Sequence, residues 1–241
     1  MGALGCASDG DGQDGAGGAG DDGSSGSGGS SDGSCSTIPS ETEGPYPGDG
    51  TNNGGTNALT LSGIVRSDIR RSVGDASGVA AGISLTIELT LVRSGSCAAL
   101  ANHAIYLWHC DRDGLYSMYT LATENYLRGV QETDADGKVT FQSIFPAAYL
   151  GRWPHAHFEI YESLDAATSG ENKVWTSQLA LPEDACNEVF ATDGYEQSVE
   201  NMAQTPLSAD NVFSDGAELQ MPSISGNVED GYVVKLTVAI D

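Results

Sequence analysis

Apolar and polar residues alternate with a period of two along most of the chain beyond residue 57. Residues 83–92, ISLTIELTLV, place Ile and Leu on one face of an extended segment and mainly Ser, Thr and Glu on the other. Successive side chains of a strand point to opposite faces, so this alternation indicates a half-buried β-strand. Six further segments predict strands, at residues 59–65, 104–110, 138–144, 155–161, 173–181 and 232–240.

Turn sequences such as DRDG at 111–114 and DADG at 134–137 separate the strands. Seven short strands punctuated in this way predict an all-β fold, a two-sheet β-sandwich of the immunoglobulin or prealbumin-like type with long active-site loops. Residues 190–203 indicate a helical or irregular excursion from this pattern.

Composition divides the chain in two. Residues 1–40 contain six Asp, no Lys, Arg or Glu, and otherwise mostly Gly and Ser. Such a segment has too few apolar groups to offset the entropy lost on ordering, so it predicts a disordered linker. Residues 41–241 are therefore expected to form one folded domain.

The net charge limits the partners that the chain can approach. It carries 10 Lys and Arg against 34 Asp and Glu, a net charge of −24. Nucleic acids and anionic membranes require clustered positive charge, so we expect neither as a partner. No apolar run approaches the ~18 residues of a membrane-spanning helix. The protein is expected to be soluble or at most tethered.

The cysteines suggest export. Ala3-Leu4-Gly5-Cys6 resembles the end of a bacterial lipoprotein signal, in which the cysteine is lipidated after cleavage. One alternative is an exported protein, which would be secreted or would be anchored by lipid at the cell surface or in the periplasm. The other is that Cys6 has no role and lies in a flexible tail. The other four cysteines permit three disulfide pairings or remain buried thiols: Cys35, Cys97, Cys110 and Cys186.

Candidate metal ligands begin with two histidines. His155 and His157 lie two apart in the predicted strand HAHFEIY, so both imidazoles project from one face and can reach one ion. A cupin site is excluded because no histidine follows residue 157 and Glu162 has the wrong strand parity. Two readings stay open: a zinc site completed by another His, Cys or carboxylate, and a hydrogen-bonded pair in a wet cleft.

Two tyrosines suggest a different metal. Tyr116 follows the DRDG turn, and Tyr149 lies six residues before His155. A phenol has a pKa near ~10, so it is an anionic ligand at neutral pH only beside a strong Lewis acid such as Fe(III). Two phenolates and two neutral imidazoles would leave Fe(III) with one net positive charge and an open position. Without the other three residues, either tyrosine would be interpreted as a packed aromatic side chain.

The ordered combination of these residues resembles a known family. The segments ETEGPYPGD, IYLWHCDRDGLYS and YLRGVQETDADGKVTFQSIFPAAYLGRWPHAHFEIY look like the intradiol ring-cleavage dioxygenases, particularly their exported branch, over about residues 41–182. This resemblance implies that Tyr116, Tyr149, His155 and His157 bind Fe(III).

Further roles are implied by the same resemblance. Arg152 would stabilise negative charge that develops on the substrate, and the alternative for this residue is a structural ion pair. Gln178 would support the site from the next strand. Pro45 and Tyr46 would contact the aromatic ring, unless they form only an exposed turn.

The activity implied is Fe(III)-dependent cleavage of a catechol-type diol by O2 to a cis,cis-muconate-type diacid, with Tyr149 leaving the metal as it takes a substrate proton. Which catechol is cleaved stays open. Two alternatives differ in class: a non-catalytic β-sandwich module that binds a metal or carbohydrate at a surface, and a zinc hydrolase that uses only His155, His157 and a carboxylate. We do not expect the N-terminal helical dimerisation domain of the cytosolic branch, because residues 1–57 have the composition of a linker, and the oligomeric state is open.

The sequence departs from the family pattern at two places, and each departure predicts a change in the site. Ala147 and Ala148 stand where the family usually has a glycine after Pro146, so this turn must avoid positive φ and could displace Tyr149. Trp153 and Pro154 add bulk before the histidines and are expected to narrow the pocket.

Overall fold

The computed structural model describes residues 35–52 and 54–241. Over these residues the chain forms eight strands, with two α-helices between the sixth and the seventh. The strands are β1 Ser84–Arg93, β2 Ala104–Trp108, β3 Arg128–Glu132, β4 Lys138–Ile144, β5 His155–Tyr161, β6 Trp175–Ala180, β7 Ser223–Asn227 and β8 Gly231–Ile240. The helices are α1 Glu183–Phe190 and α2 Glu196–Gln204. None of the helices in the described part of the chain is both long and apolar enough to span a bilayer.

The strands form two sheets of four. One has the order β4-β1-β8-β7 and the other β3-β2-β5-β6. Neighbouring strands are antiparallel except β1 and β8, which run parallel with Leu85 opposite Tyr232. The all-β, two-sheet prediction is confirmed.

The core lies between the two sheets. Leu85, Ile87, Leu89 and Leu91 all point inward from β1, as the alternation predicts. Strand β5 differs because all seven of its residues are buried. Its alternate residues Ala156, Phe158 and Ile160 enter the core, while His155, His157 and Glu159 lie on the outer face of their sheet, which loops cover. This covered outer face is where the candidate site lies.

Six of the seven predicted strands are present, and the one at residues 59–65 is wrong. That segment is a series of turns with a single bridge from Val65 to Val130. Its apolar residues Leu59 and Ile64 are buried beneath the loops rather than in the intersheet core. Two strands were not predicted, because RGVQE (β3) and SISGN (β7) carry too few apolar residues to alternate. The predicted excursion at 190–203 corresponds to the end of α1 and most of α2.

The described chain begins inside the segment predicted to be a linker. Ile38 is 1% exposed, and its N–H donates to Ala239 O at 2.9 Å. A disulfide joins Cys35 to Cys97, whereas Cys110 and Cys186 are buried free thiols. The predicted boundary at residue 40 is therefore too late, because residues 35–40 pack on the domain. Cys6 and residues 1–34 lie outside the described residues.

Candidate metal centre

Strand β5 positions the two histidines. His155 and His157 lie on its covered outer face, and His157 pairs with Trp108 on β2 and Gln178 on β6. The Trp108 indole stacks on the His157 ring with centroids 4.9 Å apart and planes 5° apart. Stacking of this kind fixes the plane of the imidazole.

A tight turn returns Tyr116 over the sheet. Asp111 Oδ1 accepts hydrogen bonds from the N–H groups of Asp113 and Leu115, at 3.0 and 2.9 Å. Gly114 has a φ of +79°, and a Cβ placed there would lie 3.2 Å from the Tyr149 Cβ. Glycine is therefore suited to this position both by its backbone conformation and by the close approach of the Tyr149 loop.

Tyr149 is positioned by the residue before it. Ala148 N–H donates to Ser198 Oγ at 3.1 Å, and Ala148 O accepts from Asn201 Nδ2 at 3.0 Å, so α2 holds both of its backbone polar groups. Among the described residues, the non-glycine residues with positive φ are Cys97, Asn102, Met118 and Leu127. The turn thus avoids positive φ at Ala147 and Ala148, as expected.

The four predicted ligand atoms meet in a ring. The Tyr116 and Tyr149 Oη atoms are 3.2 Å apart, and Tyr149 Oη lies 3.2 Å from His155 Nε2. His155 Nε2 lies 3.0 Å from His157 Nε2, which lies 3.5 Å from Tyr116 Oη. Ligands about 2.1 Å from one metal, at angles near 90–110°, lie about 3.0–3.4 Å from each other. The arrangement therefore fits a single ion bound by two oxygens and two nitrogens.

The hydrogen bond at His155 Nδ1 leaves a lone pair on Nε2 for a metal. Its Nδ1 contacts Trp153 O, the backbone partner that an imidazole ligand commonly uses to fix its tautomer. Among the described residues, His157 Nδ1 has no hydrogen-bond partner. Both imidazoles are buried, which differs from the alternative of a hydrogen-bonded pair in a wet cleft.

Burial sets the charge of all four groups. It lowers the pKa of His155 to about 3 and that of His157 well below its usual value, with the positive charge of Arg152 adding to the effect. It also raises the pKa of Tyr149 to about 12 and that of Tyr116 well above 10. The imidazoles are therefore free to donate lone pairs, and the phenols ionise at neutral pH only when a strong cation binds between them.

Arg152 lies beside this ring and belongs to a buried ion pair. Its Nε donates to Asp210 Oδ2 at 2.9 Å, its Nη2 donates to Gln178 Oε1 at 2.6 Å, and its Nη1 lies 3.3 Å from His155 Nε2. Gln178 in turn donates from Nε2 to Thr42 O at 2.8 Å. Arg152 and Gln178 therefore both lie beside the four candidate ligands. Arg152 is ion-paired with Asp210 and is also close to His155.

A cleft of about 730 Å³ opens onto the ring. Pro45 and Tyr46 form part of its wall together with Tyr116, Tyr149 and Arg152. The Tyr46 and Tyr116 rings lie 4.9 Å apart, so Tyr46 is a packed wall residue and not an exposed turn.

The expectation that Trp153 and Pro154 narrow the pocket is wrong, because neither lines the cleft. The Trp153 side chain points away from it, toward α1 and α2, and its Nε1–H donates to Leu181 O.

Comparison with solved structures adds an independent observation. An intradiol ring-cleavage dioxygenase from Tetranychus urticae aligns with a TM-score of 0.65 and 26% identity over 86% of this chain and 95% of its own. The chain resembles the intradiol ring-cleavage dioxygenases. A second dioxygenase structure gives the same TM-score at 25% identity. No protein-family model matches the chain, and neither does any curated protein.

A more distant structure agrees in fold. The dioxygenase domain of a dioxygenase and carbohydrate-binding protein fusion from Streptomyces sp. SirexAA-E aligns with a TM-score of 0.53 at 20% identity, over 85% of this chain and 98% of that one. At this identity the likeness concerns the β-sandwich alone.

Asp210 was missed by the resemblance to intradiol dioxygenases. Its carboxylate accepts from Arg152 and from the N–H groups of Trp153 and Val212, at 2.7 and 2.8 Å for the latter two. Burial on its own raises the pKa of Asp210, but these hydrogen bonds outweigh it and hold the pKa below its usual value. Asp210 lies 58 residues from Arg152 in sequence, and no local pattern marks it.

Arg128 was also missed. It is buried, and all five of its N–H donors are engaged. They reach Ser117 Oγ at 3.1 Å, Ser117 O and Tyr46 O at 3.0 Å, Tyr106 Oη at 2.9 Å and Pro47 O at 2.6 Å. Arg128 therefore joins the loop that carries Tyr46 to the loop that carries Tyr116. The only signal in the sequence is a lone arginine in an otherwise unremarkable segment.

The zinc alternative lacks its third ligand. Within residues 35–52 and 54–241, the only group of three acidic, histidine or cysteine ligands is Glu43, Asp49 and Glu159. The ammonium of Lys173 already contacts that group, 3.3 Å from Glu159 Oε1. No carboxylate of the described chain joins His155 and His157 in such a group, so a two-histidine, one-carboxylate zinc site finds no support.

Proposed function

We propose that this protein is a non-haem Fe(III) dioxygenase that cleaves a catechol-type diol between its two hydroxyl-bearing carbons. One O2 is consumed, both oxygen atoms enter the product, and the product is a cis,cis-muconate-type diacid. The observation that carries the proposal is the ring of two phenol oxygens and two imidazole nitrogens, at separations of 3.0–3.5 Å, beneath an open cleft. The likeness to intradiol dioxygenase structures supports it.

Tyr116, Tyr149, His155 and His157 would hold the iron. When bound, Fe(III) would supply a Lewis acid strong enough to keep both phenols ionised and to make a bound catecholate reactive toward O2. Zinc lacks the electronic states for this chemistry.

The two tyrosines differ in exposure, and this difference suggests different roles. Tyr149 is half-buried, whereas Tyr116 is almost fully enclosed. Of the two, Tyr149 is therefore the one that would move toward the cleft, while Tyr116 would stay in place. With a pKa of about 12 away from a metal, its phenolate is basic enough to take a catechol proton at Oη.

Arg152 supplies fixed positive charge at the cleft wall. Asp210 and Gln178 hold its guanidinium in position, so no reorganisation is needed when negative charge develops on the substrate. Pro45 and Tyr46 would hold the plane of the substrate ring. Catalysis would depend on this wall because the ring must be oriented before oxygen attacks.

We also propose that the protein acts outside the cytosol. The Cys35–Cys97 disulfide supports this location, because disulfides persist mainly in oxidising compartments. A lipid anchor at Cys6 would place the protein at the cell surface or in the periplasm, and mass spectrometry of the mature N-terminus would test it.

The function is tested by the visible spectrum and iron content of the purified protein, before and after catechol is added without oxygen. We expect a broad phenolate-to-iron band that moves to longer wavelength with catechol, followed by a muconate-type diacid once O2 is admitted. Tyr116→Phe and Tyr149→Phe should each change the band. Tyr232→Phe should not, because it removes a hydroxyl on β8 of the other sheet that donates to Glu188 of α1. A protein that stays colourless after ferric reconstitution would contradict the proposal. A band without product would favour a binding module.

A further inference from the structure

The cleft above the ring contains little charge. The ionisable side chains that line it are Arg152 and three tyrosines, Tyr46, Tyr116 and Tyr149, of which the last two would bind iron. The rest are small, polar or apolar, including Thr42, Pro45, Thr120, Leu150 and Asn211. A charged substituent on a substrate would therefore depend on Arg152 for a partner.

The charge of Arg152 is already compensated. The Asp210 side chain is 0% exposed and that of Arg152 is 13% exposed, so the pair is largely shielded from water. Its Nε donates to the Asp210 carboxylate and its Nη2 to the Gln178 amide oxygen. A carboxylate substituent that entered the cleft would lose hydration and meet a cation whose charge Asp210 already offsets, so it would gain less from Arg152 than from an unpaired cation.

The exposed lining of the cleft combines polar residues with one large apolar side chain. Leu150, next to Tyr149, is 67% exposed and is the most exposed large apolar side chain of the described residues. With Pro45 and Tyr46 it provides a surface for an apolar group. The cleft volume of about 730 Å³ lies within the range of about 300–1,000 Å³ typical of pockets for ligands larger than a single ring.

We propose that this cleft selects uncharged catechols that carry an apolar substituent reaching Leu150, and that it discriminates against catechols that carry a carboxylate. This inference rests on the proposed function, and it adds the substrate class and Leu150 as the residue that determines it. The net charge of −24 acts in the same direction, because it repels an approaching anion.

Two probes of nearly the same shape isolate the charge. 3,4-Dihydroxybenzamide is neutral and 3,4-dihydroxybenzoate is anionic, while 4-tert-butylcatechol tests the apolar contact. Calorimetric titration of the iron-loaded protein under nitrogen measures affinity whether or not the ring is cleaved, and O2 uptake measures cleavage separately. We expect the amide to bind at least about ten-fold more tightly than the carboxylate.

Variants at Leu150 provide the matched comparison. Leu150→Lys places an ammonium at the cleft mouth, and Leu150→Gln is a neutral side chain of similar length. Lysine should improve the affinity for the carboxylate relative to the amide by about five-fold, and glutamine should leave that ratio unchanged. Both should weaken binding of 4-tert-butylcatechol.

The outcomes separate the two proposals. Equal affinity of the parent protein for amide and carboxylate would overturn the charge selectivity, and unchanged 4-tert-butylcatechol affinity in both variants would overturn the role of Leu150. Selective binding without O2 uptake would support the selectivity and contradict ring cleavage.

Discussion

At the residue scale, the candidate site consists of four ligand residues and the charged pair of Arg152 and Asp210 beside them. The two tyrosines and the two histidines could be found because they lie within 42 residues and their order is specific. The resemblance also assigned Arg152. Asp210 could not be found, because its role arises only when the chain after α2 folds back to contact Arg152. An aspartate before an ordinary Asn-Val-Phe segment has no pattern of its own.

Asp210→Asn should separate the charge of this residue from its shape. Leaving Arg152 buried without its counter-charge should lower the free energy of unfolding at pH 7 by about 3 kcal/mol. The pKa of Asp210 is depressed in the folded protein, so its stabilisation is present above the unfolded value and is lost as the pH falls through the lower folded value. Urea unfolding at pH 7 and pH 3 should therefore show a difference from the parent that shrinks in acid. Exposed Asp215→Asn is the control, and a difference independent of pH would contradict the argument.

Tyr149→Phe should distinguish a proton acceptor from a ligand that only holds iron. Removing Oη takes away the proposed acceptor, so we expect kcat to fall by about 10²–10³. Because three ligands remain, the iron content should fall far less. Stopped-flow oxygen kinetics with parallel iron analysis measures both. Loss of iron in proportion to activity would show that Tyr149 serves only to hold the metal.

At the element scale, alternation predicts the strands that have one apolar face and fails elsewhere. Strand β1 has a solvent face and a core face, so its period of two is clear. Strand β3 is short, begins with buried Arg128 and contains Gly129, so its membership of the sheet depends on long-range contacts. Residues 59–65 alternate for another reason, since their apolar side chains pack under the loops that cover the outer face.

Arg128→Lys should test how these loops are held. Lysine keeps the charge but cannot reproduce five donors in a planar fork. We expect the free energy of unfolding to fall by about 3 kcal/mol and the phenolate-to-iron band to shift, because Tyr46 and Tyr116 lose their common support. Arg93→Lys, at an exposed strand end, is the matched control. Loss of stability with an unchanged band would confine Arg128 to a purely structural role.

The Cys35–Cys97 disulfide fixes the first described segment to the turn between β1 and β2. It closes a loop with a sequence separation of 62 residues. Replacing both cysteines by serine should lower the free energy of unfolding by about 2–4 kcal/mol, largely by releasing the unfolded chain. Dithiothreitol should destabilise the parent and leave the double variant unaffected. Equal sensitivity to the reductant would contradict this assignment.

At the scale of the whole molecule, the sandwich explains why a site can lie on the outside of a sheet. One face of the β3-β2-β5-β6 sheet forms the core and the other carries the histidines, so the site is created by the loops that cover that face. The chain order of those loops can be read from the sequence. Their contacts cannot, because they depend on buried polar groups such as Arg128 and Asp210, which a hydrophobic pattern does not reveal.

The overall charge predicts a salt dependence that only charged substrates should show. At −24, the protein repels anions over a distance set by the screening length, which falls from about 30 Å at 0.01 M salt to about 8 Å at 0.15 M. Raising salt across this range should tighten binding of 3,4-dihydroxybenzoate several-fold and leave 3,4-dihydroxybenzamide nearly unchanged. Titrations at both salt concentrations measure this difference. If salt affected both probes equally, the repulsion would not be electrostatic, and discrimination would have to come from local contacts in the cleft alone. A persistent preference for the amide at high salt would instead isolate the contribution of the compensated Arg152, because that pair is shielded from solvent ions.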